Sequence, residues 1–180
     1  MIKVDFMKII GDHYTTVMAE CTGDFSKYSN IHWAGGDKLP SEEELLDWAL
    51  IDFKIDKITN LSNSCQKDII SGFTSDGLGY LCMYDSELED QTNLGLTITN
   101  ISPMPDFPNG LASPYAIRPI VDGVIQSKIY VMHSYAQLRK VMYDGGIYKL
   151  ILLQKFNNKR DLVNSMTTLE DINNIKWEVD

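Results

Sequence analysis

The sequence predicts an α+β protein: a long central helix, a small N-terminal helix-hairpin module, and a helical C-terminal domain containing short β-hairpins. Three observations carry that prediction. Apolar residues keep helical spacing from Ser41 to Gly72, over about three heptads. Short alternating segments punctuated by Gly, Asn and Asp flank that stretch on both sides. Capping boxes recur at Ser134–Gln137 and at Thr167–Glu170, each ahead of a further helical pattern. The expected organisation is a module over residues 1–40, a connecting helix over 41–72 and a domain over 73–180.

The central helix has a defined start and stop. Ser41 and Glu44 form a capping box, and Pro40 cannot extend a helix backwards. Glu42, Glu43 and Glu44 fill the first turn, where the helix dipole favours negative charge. Trp48, Ile51, Ile55, Ile58, Cys65 and Ile69 then line one side, interrupted only by Ser62. Gly72 supplies the left-handed stop. At about 1.5 Å per residue such a helix is roughly 45 Å long, so the remaining chain must pack along it. The stripe has two readings. It is either the main core face, or a seam between copies at Trp48, Ile51, Ile55 and Ile58.

Upstream, Val4, Phe6, Ile9 and Ile10 suit a short buried helix, with a strand as the alternative. Residues 15–21 and 29–33 read as a hairpin around Thr22-Gly23-Asp24. This opening module is too small to be stable without the central helix. Downstream, residues 73–79 are a tight turn region and 80–84 a short apolar strand. Asp90 caps a helix beginning at Gln91. Residues 101–114 hold four of the six prolines and read as a surface loop. Asp122-Gly123 is a hairpin turn between segments 118–121 and 124–131. The helix opened by Ser134 is expected to bend or break at Gly145-Gly146, with a second helix following through Ile147, Leu150 and Phe156. A last short helix ends near Ile172.

Composition narrows the function classes. The 180 residues and 44% hydrophobic content suit one domain, or a core with a small appended module. No apolar run approaches the roughly 18 residues needed to span a bilayer, so no membrane partner is expected. A net charge of −9 opposes phosphate neutralisation, so no nucleic-acid partner is expected either. Residues 37–90 carry thirteen acids against four bases, whereas 127–160 carry seven bases against one acid. Those two regions are either solvated separately or meet, within one chain or between copies. Cys21, Cys65 and Cys82 contain no CxxC pair, which argues for buried reduced thiols and against a disulfide framework or a metal site.

Candidate chemistry is sparse. Asp85, Glu87, Glu89 and Asp90 crowd together but lack the ligand order of an EF-hand, and turn and cap roles explain them. Cys82, His133 and Asn93 are the residues that a thiol nucleophile, its base and an orienting amide would use. Cys82, however, sits in an apolar strand with no helix N-terminus behind it. Gly72, Gly77 and Gly79 do not form a nucleotide fingerprint. The expectation is a non-enzyme without cofactor or metal, with a thiol or carboxylate hydrolase as the remote alternative.

Residues 54–177 resemble a small domain of unknown function found in tailed-bacteriophage tail proteins. The matching landmarks are Cys65 and Ile69, Gly72-Phe73-x-Ser75, Tyr84-Asp85, and Asp90-Gln91-x-Asn93 with Leu94. They continue with His133, Ala136-Gln137-Leu138, and Ile175-x-Trp177. The upstream run from Trp33 through Leu39-Pro40-Ser41 is similar to the N-terminal part of small phage tail proteins. The resemblance implies a virion structural protein of the tail or its fibre attachment, made in the host cytoplasm. Its expected partners are other tail or fibre proteins and further copies of itself. A fibre-assembly chaperone, not retained in the virion, is the alternative. Asp85, Asp90, Gln91 and Asn93 are expected to lock the strand-to-helix corner by bonding backbone groups.

Overall fold

In a computed structural model, described over residues 2–178, the Ser41 capping box forms as its sequence predicts. The Ser41 N–H donates to Glu44 Oε2 at 2.7 Å, and the Glu44 N–H returns to Ser41 Oγ at 3.3 Å. Helix α2 then runs for 29 residues, Glu42–Ile70, and Gly72 follows at φ +104°. The protein is a mixed α+β chain built on this long helix.

The chain divides into two compact units, residues 1–61 with 158–180, and residues 62–157. This differs from the expected 1–40, 41–72 and 73–180 segments. Helix α2 is not a separate connector, because its residues 42–61 belong to the first unit and 62–70 to the second. The last twenty-odd residues group with the N-terminal module rather than with the domain before them.

In the first unit, α1 (Phe6–His13) is capped by the Asp5 carboxylate, which accepts from the Lys8 N–H at 3.0 Å. An antiparallel hairpin, β1 (Val17–Cys21) and β2 (Ile31–Gly36), follows, with an irregularity between Met18 and Ala19. Phe6, Ile9 and Ile10 of α1 and Ile31 of β2 bury themselves against Leu45 and Ala49 of α2. The opening module therefore borrows part of its core from beyond residue 40. A peptide ending at Leu39 is expected to show a poorly dispersed proton NMR spectrum. A well-dispersed, cooperatively melting fragment would contradict this. Two lysines join α2 to the later helices of the same unit. Lys54 Nζ donates to the Asn164 carbonyl at 2.9 Å and Lys57 Nζ to the Asn173 carbonyl at 3.1 Å. Those carbonyls lie in the last turns of α4 (Tyr135–Ser165) and α5 (Leu169–Asn174), where cations satisfy orphan acceptors.

The second unit holds a five-stranded antiparallel sheet. Its strands are β3 (Phe73–Ser75), β4 (Cys82–Tyr84), β5 (Ala112–Val121), β6 (Val124–Ile125) and β7 (Ile129–Ser134). The order is β3-β4-β5-β6, and β7 pairs with β5 beside β6. Asp122 at φ +50° and Gly123 at φ +77° make the predicted hairpin turn. Helix α3 (Leu88–Asn100) and the first part of α4 cover the sheet. The core is Phe73, Cys82, Tyr84, Leu94, Ile98, Ile101, Ile117, Leu138 and Val141.

Several expectations need correction. Residues 73–75 are strand, and the turn is confined to the residues after them. Strand β5 begins at Ala112, inside the segment expected to be loop, and it accommodates Pro114 and Pro119. Over 112–117 the strand has only β7 beside it, an edge position where a missing donor is tolerated. Pro119 falls between the last β7 pair, Ile117 with Ile129, and the first β6 pair, Ile120 with Ile125. Its carbonyl still accepts from the Gln126 N–H at 2.8 Å. Helix α4 is continuous for 31 residues through Gly145-Gly146. The last helix is capped by Thr168 and Asp171, one residue later than the Thr167–Glu170 pattern.

The stripe on α2 splits. Cys65 and Ile69 are buried, but Ile51 and Ile55 are 44% and 57% exposed, and Trp48 and Ile58 are half-buried. Near the start of α2 the buried face is Leu45 and Ala49. At about 100° per residue those two lie roughly half a turn around the helix from Cys65 and Ile69. One helix thus buries different faces toward its two ends, with Leu61 of the first unit already on the Cys65 side, and the Ile51–Ile55 side is not core.

Candidate functional site

A cleft that gathers site residues lies on the second unit, beside the corner that joins β4 to α3. Met83 pairs with Arg118 across the β4–β5 ladder, which brings the guanidinium alongside Asp85, just past the end of β4. Arg118 Nε donates to Asp85 Oδ1 at 2.8 Å, and Lys128 Nζ lies 2.5 Å from Asp85 Oδ2. Partial burial pushes the Asp85 carboxyl upward, but these two cationic donors outweigh it and hold the group below its ordinary range. Tyr130, Asn93, Glu87 and Glu89 are among the further residues that line this cleft of about 720 Å³.

The corner itself is locked by backbone bonds. Ser86 Oγ donates to the Ile69 carbonyl, and Gln91 Nε2 donates to the Ser86 carbonyl at 2.8 Å. The Glu87 N–H donates to Asp90 Oδ2 at 3.1 Å, and Tyr115 OH donates to the Asp90 carbonyl at 3.0 Å. Asp90 is therefore not the N-cap of α3. Glu87 is, and Asp90 occupies the third helical position, reaching back to it as the acidic partner of a capping box. The structure brings Asp85, Asp90, Gln91 and Asn93 together, three of them as bonded parts of the corner and Asn93 as a wall of the cleft. Asp90→Ala is expected to cost about 0.5–2 kcal/mol in an equilibrium urea melt. Asp85→Asn is expected to cost about 1–2 kcal/mol, because two half-exposed cations lose their counter-charge. An unchanged midpoint in both would mean that the corner is not held this way.

Cys82, His133 and Asn93 are not assembled as a nucleophilic set. Cys82 is fully buried in the core, and burial pushes its thiol up. His133 is also fully buried, not at an accessible strand end. Its Nδ1 lies 2.8 Å from the Val131 carbonyl, which can only accept, so Nδ1 carries the proton. Nε2 then accepts from Tyr84 OH at 3.0 Å. Burial lowers the His133 pKa, partly offset by the Val131 carbonyl, and raises that of Tyr84. Tyr115, whose ring meets that of His133 edge-on, is pushed up to about 12 chiefly by burial. Asn93 faces the cleft on the exposed side of α3.

The other landmarks are joints as well. Phe73 packs on Gly145, and Ser75 Oγ donates to Asp144 Oδ2 at 2.6 Å. Lys140 pairs with both Asp144 at 2.6 Å and Asp76 at 2.9 Å. In the first unit His13 Nε2 lies 2.9 Å from Asp52 Oδ2 and stacks on Trp48 at 4.1 Å. No group of three potential metal ligands occurs among the described residues.

Sequence reasoning missed Arg118, Lys128, Tyr115 and Tyr130 as partners of the corner. The signal for Lys128 was present: the acid-rich and base-rich regions meet within the chain at Asp85–Lys128, as they do at Asp76–Lys140. No helix among the described residues is long and apolar enough to cross a membrane. No protein-family model, curated protein or solved structure matches the chain.

Proposed function

We propose that the chain is a structural subunit of a bacteriophage tail, at the tail or its fibre attachment, that works through protein–protein contact and without catalysis. One observation carries most of the weight. Between residues 121 and 132, Val121, Val124, Ile125, Ile129, Tyr130 and Met132 are all exposed, at 46–74%. Strand β7 has β5 on one side and, among the described residues, no other strand beside it. An apolar hairpin with an unguarded edge is a liability in a free monomer and is suited to a subunit that neighbours cover. The tail-protein landmarks fit the same reading, since Gly72, Phe73, Ser75, Asp90 and Gln91 all serve as joints. In this reading the tail-domain resemblance over residues 54–177 spans both units, with Ile175-x-Trp177 in the first, and the long 112–134 hairpin is where the chain departs from it. The partners are other tail or fibre proteins and further copies of the chain.

Mass spectrometry of purified virions tests this. Stoichiometric recovery in the particle is the expected result. Absence from the particle, with recovery on a fibre protein from the lysate, would make it an assembly chaperone. Absence from both would end the tail reading.

A further inference from the structure

Helix α4 turns Tyr143, Ile147, Leu150 and Ile151 to solvent, at 65%, 39%, 59% and 57% exposure. Their spacing of i, i+4, i+7 and i+8 gives one continuous apolar face. Arg139, Lys140 and Lys155 lie beside or at the ends of that face, and the single acid of residues 139–155, Asp144, is already held by Lys140.

Helix α2 carries an apolar face of opposite surroundings. Ile51 and Ile55 are exposed, with Trp48 and Ile58 half-buried beside them. Residues 42–58 hold six acids, Glu42, Glu43, Glu44, Asp47, Asp52 and Asp56, against Lys54 and Lys57. Both lysine ammonium groups are turned to the Asn164 and Asn173 carbonyls, so they do not neutralise the isoleucine side.

We propose that the Tyr143–Ile151 face of α4 in one copy receives the Ile51–Ile55 face of α2 in a second copy. This rests on the assembly reading above and names the contact. Charge selects the occupant: α4 against α4 would set basic flank on basic flank, and α2 against α2 acid on acid. Only the mixed pairing places apolar side chains at the centre and opposite charges at the rim. Because the two faces differ, each copy carries both halves of the contact, so two copies can exchange it reciprocally about a two-fold axis or further copies can extend it into a ring or a filament.

The test is light scattering on the full chain and two surface variants, Ile51→Glu with Ile55→Glu, and Tyr143→Glu with Leu150→Glu. Wild type is expected above 20.4 kDa at low salt. Its mass should fall toward that value at 1 M salt, where the Debye length is about 3 Å. Each double variant alone is expected at 20.4 kDa. Their equimolar mixture is expected at twice that mass, since each keeps the face that the other has lost. All four positions are exposed, so circular dichroism melts should stay within a few degrees of wild type. Ile55→Glu and Leu150→Glu alone repeat the test with less perturbation. A mixture that stays monomeric, a double variant that still assembles, or a wild type monomeric at millimolar concentration each overturns the contact. None of these outcomes touches the tail reading, which fails separately if the chain is missing from both virion and fibre complex.

Discussion

Replacing His133 by alanine lowers stability by about 3–5 kcal/mol, a large share of the roughly 5–15 kcal/mol that holds a domain together. Two losses add. A fully buried ring that packs edge-on against Tyr84 and Tyr115 leaves a cavity. The Tyr84 hydroxyl and the Val131 carbonyl also lose their partner in a site that water does not reach. His133→Phe separates the two, because it fills the volume and keeps only the polar loss, about 1–3 kcal/mol. Equilibrium urea melts of the three proteins give both numbers. A phenylalanine variant as stable as wild type would show that the hydrogen bonds contribute nothing net.

The same residue sets a pH dependence with a definite sign. Burial holds the folded-state pKa of His133 below its ordinary value of 6.5. As pH falls through that value, the unfolded chain takes up a proton that the folded chain refuses. Stability is therefore full above about pH 6.5 and declines below it, until the folded-state pKa is reached. Asp85 acts in the same direction but lower, since its folded-state pKa lies below the ordinary 3.8. Its contribution is present above that value and is lost as pH falls further. Urea midpoints at pH 7.5, 6.5, 5.5 and 4.5 cover the histidine window, and points at pH 3.5 and 2.5 cover that of Asp85. His133→Phe should flatten the upper one alone. A wild-type midpoint constant from pH 7.5 to 5 would refute the neutral, buried histidine.

Adjacent glycines in α4 are expected to respond in opposite directions. A Cβ at Gly145 would come within 2.7–3.1 Å of three atoms of the Phe73 ring, which is itself buried and cannot swing aside freely. Gly145→Val is expected to cost about 1–3 kcal/mol from overpacking. At Gly146 a Cβ meets nothing within 4 Å. Gly146→Ala is expected to gain about 0.5–1 kcal/mol, the ordinary cost of a glycine within a helix. Thermal melts of the pair check both. Similar destabilisation at both positions would mean that α4 is kinked or frayed there and not continuous.

These two glycines also show where sequence pattern loses its hold. A Gly-Gly pair in isolation reads as a helix breaker, since backbone entropy is the only quantity that the local sequence exposes. Phe73, some seventy positions away, turns Gly145 into a packing requirement, and the surrounding apolar contacts keep α4 helical through it. The stripe on α2 fails for a related reason. Spacing identifies a face, but only the neighbours decide which face is covered. In the first unit Phe6, Ile9 and Ile31 cover Leu45 and Ala49, and leave Ile51 and Ile55 outside. The candidate corner was partly legible, because caps and Asx-type bonds are local. Its charge partners were not, since the β4–β5 register places Arg118 beside Asp85 across thirty-odd residues.

What the sequence determined by itself is what closes within a few residues: the Ser41–Glu44 and Ser134–Gln137 boxes, the Asp122-Gly123 turn, the Gly72 stop, and the segregation of acid from base along the chain. Tertiary structure alone decided what depends on meeting a distant partner. It joined residues 158–180 to the N-terminal unit, buried His133 against Tyr84 and Tyr115, and left apolar faces on α2, α4 and the 121–132 hairpin uncovered. The physical reason is range. A hydrogen-bonded cap or a positive-φ turn is settled by the chain's own neighbours, whereas burial is a property of whatever the fold brings alongside.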